Sequence, residues 1–173
     1  MLEKMGAQTL VSVEEYLSTS YSPDREYRDG VLVERNVGTR RHGLLQIRLG
    51  SYFNRRRKQW QIEAYTETRI RVREDWYPIP DICVYTLPAP EEDVPTRPPL
   101  LWIEILSPDD RMPDVWHKAN ELLAHGVPYV WIIDPETLDS ELRTQAGIRD
   151  VPEKTLRLPD SPIVVPLVEV MEE

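Results

Sequence analysis

A single cysteine, Cys83, in a chain of 173 residues rules out an internal disulfide. Three histidines and that one cysteine offer no paired CxxC or comparable zinc-ligand spacing, so any bound metal is expected to take oxygen ligands. No apolar run approaches the roughly 18 residues of a membrane span, and the opening MLEKMGAQTL does not have the charged-then-apolar layout of a signal peptide. A cytoplasmic protein with no membrane segment is the expectation. Glycine-rich phosphate loops and GxSxG elbows are absent, which sets aside P-loop nucleotide hydrolysis and serine esterase chemistry. Positive charge is also scarce: the formal net charge of −9 argues against a protein that coats nucleic acid nonspecifically. The average hides an asymmetry, however. From Asn36 to Ile62 there are seven basic residues and no acid, so a local basic surface is still open.

What is present reads as one globular domain over residues 1–173, with 40% hydrophobic residues to build a core and no repeat or low-complexity segment. Ser12 and Glu15 stand in capping-box spacing and predict a short helix. Asp29-Gly30 between EY and VLVE predicts a hairpin. Leu45, Leu49, Tyr52 and Phe53 mark one stripe of a long helix from Arg40 to Lys58. Ile70 and Val72 alternate with Arg69, Arg71 and Arg73, as in a strand with one wet face; the arginines read as a solvated or edge-protecting face before they read as a phosphate strip. IPDICVYT is a further strand, and the proline-rich stretch from Pro88 to Pro99 is a surface loop. A strand from Leu100 to Leu106, a helix capped by Asp114 and ending at Gly126, and the strand YVWIID form a crossover unit, which makes the two strands parallel. The tail from Leu138 to Val168 reads as short strands. This order predicts an α/β fold with a mixed central β-sheet.

Within the Leu100–Leu106 strand both faces are apolar except at Glu104. An ionised carboxylate in such a setting costs several kcal/mol, roughly, unless a cation or hydrogen-bond donors compensate it. Asp81, after Pro80 and just before the neighbouring strand, is the second carboxylate in a constrained setting. Two such acids can share a hard cation, and Mg²⁺ suits one or two carboxylates plus water and phosphate oxygens. Equally open on spacing alone is a turn-capping Asp81 with Glu104 paired to an arginine. On the following helix Lys118 borders the stripe of Val115, Ala119, Leu122 and Leu123, so its ammonium either reaches the sheet or sits in water. Ser107 and Asp109 either line a site or make an ordinary turn. Cys83 reads as a small buried hydrophobe, and His117 and His125 have no partner at metal or triad spacing.

In combination these motifs are more specific. EYRDGVLVE, His42, PDICVY, LLWIEILSPDDR, Lys118 and GVPYVWIIDP, in this order over residues 12 to 135, resemble the PD-(D/E)XK nuclease superfamily and, more closely, the putative restriction endonuclease (Uma) family. The resemblance implies a restriction-endonuclease-like fold, a mixed sheet flanked by helices, with a metal-dependent site at one sheet end. It implies that Asp81, Glu104 and the Ile105 carbonyl hold Mg²⁺ or Mn²⁺. The superfamily lysine expected two residues after Glu104 is replaced by Leu106; Lys118 matches the lysine that the family carries on the next helix instead. Glu26 matches an N-terminal glutamate and His42 a histidine near the start of the long helix. The implied function is a metal-dependent DNA endonuclease, acting as a homodimer, with Arg55, Arg56, Arg57 and Lys58 as nucleic-acid contacts. The competing expectation is a catalytically silent module that binds nucleic acid or protein on the same fold, since a fold does not fix a reaction.

Overall fold

The Ser12 side chain accepts a hydrogen bond from the Glu15 N–H at 3.1 Å and caps helix α1, Val13–Ser18, as the capping-box spacing predicts. Strands β1, Arg25–Arg28, and β2, Val31–Glu34, follow as an antiparallel hairpin. Asp29 and Gly30 turn it at φ of 51° and 85°, the left-handed values that such a two-residue turn requires. Thr39 caps α2, Arg40–Trp60, whose buried residues include Leu45, Leu49, Tyr52 and Phe53. Strands β3, Ile62–Thr66, β4, Trp76–Tyr77, β5, Ile82–Thr86, and β6, Leu101–Ile105, come next. Helix α3, Met112–Ala124, then leads into β7, Tyr129–Ile133, β8, Ser140–Thr144, and β9, Gly147–Asp150. The structure, a computed structural model, describes residues 9–172.

The central sheet has six strands in the order β3-β5-β6-β7-β8-β9, and only β6 and β7 run parallel, joined through α3. On one face Leu101, Ile103 and Ile105 of β6 pack with α2; on the other Trp102 packs with Ala119, Leu122 and Leu123 of α3. Strands β10, Thr155–Arg157, and β11, Val164–Pro166, with helix α4, Leu167–Glu172, add to the α2 layer. A mixed sheet flanked by helices results. No helix among the described residues is long and apolar enough to cross a membrane.

The hairpin is fastened to α3. Strand alternation puts Glu26 and Arg28 on one side of β1, and Lys118 and Glu121 lie one turn apart on α3. The Arg28 guanidinium donates to both oxygens of Glu121, at 2.7 and 2.5 Å, and Lys118 donates to Glu26 at 3.0 Å. Hydrogen bonding from Arg28 holds the Glu121 carboxyl below its ordinary pKa. Two ion pairs thus set the distance between the hairpin and the helix.

The structure departs from the sequence pattern in three places. Ile70 is buried and Val72 half-buried, but neither lies in a strand. Their N–H groups donate to Pro78 and Trp76 carbonyls, and Arg71 to that of Pro95. Prolines 78 and 95 have no N–H to return, so no ladder forms there. The three arginines make no continuous strip: Arg69 stacks over Tyr16, Arg73 pairs with Asp29 and Asp75, and Arg71 is exposed. Helix α3 starts at Met112 with Arg111 at its N-cap, so Asp114 sits in the first turn instead of capping it. Finally, the apolar tail switches from strand to helix after Pro166, which ends β11, has no N–H with which to extend the ladder, and stands just before α4 at Leu167.

Candidate active site

At the end of the sheet where β6 gives way to α3 lies a cleft of about 320 Å³. Its walls include Glu26 from β1, His42 from α2, Asp81 before β5, Glu104 and Ile105 from β6, Ser107 in the following turn, and Lys118 from α3. Each element delivers its residue by a local rule. Asp81 leaves the Pro80 constraint just as β5 begins pairing with β6, and Glu104 occupies the last outward position of β6 on the α3 side.

Asp81 is the more deeply set acid, with 7% of its side chain exposed. Its Oδ2 accepts the Ile105 backbone N–H at 2.7 Å, and its Oδ1 stands 3.3 Å from His42 Nε2 and 3.6 Å from Arg35 Nη2. The hydrogen bond to Asp81 raises the His42 pKa above its ordinary value, against the opposing effect of burial. Ser107 is buried, and its backbone N–H donates to Asp110 Oδ2 at 2.7 Å, so it is a turn residue that also lines the cleft.

The compensation for Glu104 comes from two sources. Lys118 Nζ lies 2.8 Å from Glu104 Oε1, and the indole N–H of Trp102 donates to the same oxygen at 2.7 Å. Both contacts fall on Oε1. Burial, together with the charges of Asp81 and Glu26, nevertheless outweighs Lys118 and pushes the Glu104 carboxyl up to about 7. Burial works against the Lys118 cation, yet Glu104 and Glu26 raise its pKa above the ordinary lysine value, so it stays charged. Glu26 Oε1 is fixed from behind by the Ile79 N–H at 3.0 Å. Glu26 and Glu104 therefore hold one ammonium between them.

Not every residue singled out in the sequence belongs here. Arg55, Arg56, Arg57 and Lys58 sit near the far end of α2, about 20 Å along the helix from His42. Arg57 pairs with Glu63 at 2.7 Å, and Arg56 stacks on the Tyr52 ring at 3.5 Å. Conversely, sequence reasoning passed over Trp102, Arg35, Gln46 and Glu67. Trp102 carried a readable signal, because it lies two residues before Glu104 on the same strand face. The other three meet only through the fold.

The donor set suits a hard cation. Among the described residues no three His, Cys, Asp or Glu side chains form a metal cluster, and the carboxylates of Asp81 and Glu104 are both set deep at this sheet end. A pair of carboxylates is the ligand pattern of Mg²⁺ rather than of zinc.

Comparisons with known proteins agree with this architecture. The crystal structure of a putative nuclease belonging to DUF820 from Anabaena variabilis ATCC 29413 matches with a TM-score of 0.78 at 24% identity, over 94% of this chain and 98% of that one. That likeness is one of fold. A search of curated proteins finds no match. The model of the family described as putative restriction endonuclease, Uma2, matches residues 13–170. The chain thus belongs to the Uma2 family of putative restriction endonucleases, with the restriction-endonuclease-like fold that its motifs predict.

Proposed function

We propose that the protein is a divalent-metal-dependent endonuclease that hydrolyses DNA phosphodiesters in this cleft. The observation that carries the reading is the meeting of Asp81, Glu104 and Lys118 from three separate elements at one sheet end. Asp81, Glu104 and the Ile105 carbonyl would hold Mg²⁺ or Mn²⁺. A cation so held polarises the phosphoryl group and lowers the pKa of water. Around it the chain's own groups have separate tasks. The Ile105 N–H and His42 orient Asp81, and the Trp102 indole orients Glu104. Lys118 presents its ammonium where charge develops on the phosphorus oxygens, or hydrogen-bonds the attacking water. Glu26 is a positioning residue that keeps the Lys118 head in the cleft.

The direct test is cleavage of supercoiled and linear DNA by purified protein. Cutting is expected only with Mg²⁺ or Mn²⁺ and is expected to vanish in Asp81→Asn; metal-independent cutting, or an active Asp81→Asn protein, would refute the reading. A homodimer suits cleavage of both strands, because twofold symmetry presents one cleft to each. Sedimentation would reveal the second copy.

The acidity of the cleft favours a second reading, a noncatalytic module on the same fold. Binding without cutting under every divalent ion would select it. Either way, the Arg55–Lys58 cluster is proposed as an outlying phosphate contact. Changing Arg55, Arg56 and Arg57 together to Gln should weaken DNA binding and lower the slope of log K against log salt by about one to three. An unchanged slope would move the contact surface elsewhere.

A further inference from the structure

Six acidic residues line the cleft, Glu26, Glu34, Asp81, Glu104, Asp110 and Asp114, against three basic ones, Arg35, His42 and Lys118. A DNA phosphate entering it meets more negative than positive charge, so cations that keep spare N–H donors beside their ion-pair partners matter most. Lys118 is shared between Glu26 and Glu104, and His42 faces Asp81. Arg35 is placed differently. It follows β2 directly, its side chain is 23% exposed, and one guanidinium nitrogen, Nη1, is bound by Glu67. Its other terminal nitrogen stands 3.6 Å from Asp81 Oδ1, an ion pair but beyond hydrogen-bond reach. A guanidinium carries five N–H donors, so donors remain for a further oxygen acceptor.

The support behind Arg35 is specific. Glu67 adopts φ of 51°, a left-handed backbone that non-glycine residues seldom adopt. Gln46 Nε2 donates to the second oxygen of Glu67 at 2.6 Å and to the Asp81 carbonyl at 3.1 Å. Glu67, Gln46 and the Asp81 backbone thus form one frame that sets the guanidinium beside the candidate metal ligand.

We propose that Arg35 binds a non-bridging oxygen of a DNA phosphate on the Asp81 side of the cleft, with Glu67 and Gln46 as positioning residues. The inference rests on the nuclease reading above and adds to it a substrate-binding group. The fork geometry of arginine suits a phosphate oxygen pair, and such charge-assisted bonds are the strong ones.

The test measures binding of a short DNA duplex over a salt series, with Ca²⁺ in place of Mg²⁺, for wild type, Arg35→Gln, Arg35→Lys and Glu67→Gln. Melting temperatures are recorded for each. Arg35→Gln is expected to weaken binding about tenfold and to lower the salt slope by about one. Arg35→Lys should keep the slope but lose several-fold in affinity, because the fork is gone. Glu67→Gln keeps one oxygen, gives up the acceptor of either Arg35 or Gln46, and removes a competing charge. It should bind more tightly than wild type, and most of that gain should disappear when it is combined with Arg35→Gln, which a general loss of negative charge would not produce. Wild-type affinity and slope in Arg35→Gln would overturn the proposal. So would Arg35→Gln and Glu67→Gln both weakening in step with lost stability. If Arg35→Gln does not fold, Glu67→Gln and Arg35→Lys still decide. A wild type that binds no DNA under any of these conditions would instead remove the nuclease reading, and this inference with it.

Discussion

Replacing Lys118 with methionine is expected to cut the rate of DNA cleavage by about 10²- to 10³-fold and to destabilise the metal-free protein by about 3 kcal/mol. The stability loss has a definite origin. Lys118 is the ammonium shared by Glu104 and Glu26, and without it those acids and Asp81 crowd one cleft with less positive charge beside them. For a chain of this size the melting temperature should fall by roughly 6 to 12 °C. Saturating Mn²⁺ separates the two roles. It supplies positive charge to the same carboxylates, so the melting temperature of Lys118→Met should rise by more than that of wild type. Cleavage should stay low, because no ammonium meets the developing charge. If Mn²⁺ restored stability and cleavage together, Lys118 would be a counter-ion for folding and nothing more.

The frame of this site was legible in the sequence because it rests on short-range rules. Asp29-Gly30 fixes the hairpin turn, two-residue alternation places Glu104 on one face of β6, and helical spacing puts Lys118 at the border of the α3 stripe. The β6-α3-β7 crossover follows from the order of elements alone. Long-range contacts were not legible. Nothing near Glu67 in the sequence announces that it will hold Arg35, 32 positions earlier, or share Gln46 with the Asp81 carbonyl. The alternation of Ile70 and Val72 misled for a related reason: Ile70 is buried as the pattern predicts, but the facing backbone is proline-rich and cannot complete a ladder. Trp102 is intermediate. Its indole N–H is satisfied by Glu104 on its own strand, whereas the buried Trp131 N–H has no partner among the described residues. An aromatic residue was read as core because its polar atom is one among ten heavy atoms of the side chain, roughly, and the packing dominates its pattern.

Glu104→Gln should act on stability in the opposite sense to Lys118→Met. In the folded protein the Glu104 carboxyl is pushed from 4.5 up to about 7, first by burial and then by Asp81 and Glu26, with Lys118 opposing. Between those values the folded chain keeps a proton that the unfolded chain has released. Wild-type stability therefore falls as pH rises through this interval, by up to roughly 3 kcal/mol from this group. Glutamine keeps the volume and removes the fall. Lys118 retains Glu26, so the metal-free Glu104→Gln protein should melt at or above wild type near pH 7.5. Divalent ions reverse the ranking. Mn²⁺ at tenfold its pH 8 Kd should stabilise wild type at pH 8 by about 1.4 kcal/mol, or roughly 3 to 5 °C, and the same concentration should stabilise it less at pH 6, where a proton competes for the carboxylate. Glu104→Gln should show no such gain at either pH. A Glu104→Gln protein that melts far below wild type without metal, beside a wild type indifferent to Mg²⁺ and Mn²⁺, would mean that Glu104 exists to pair with Lys118. The proposed metal site would then lose its central ligand, and the cleft would be a structural ion-pair cluster.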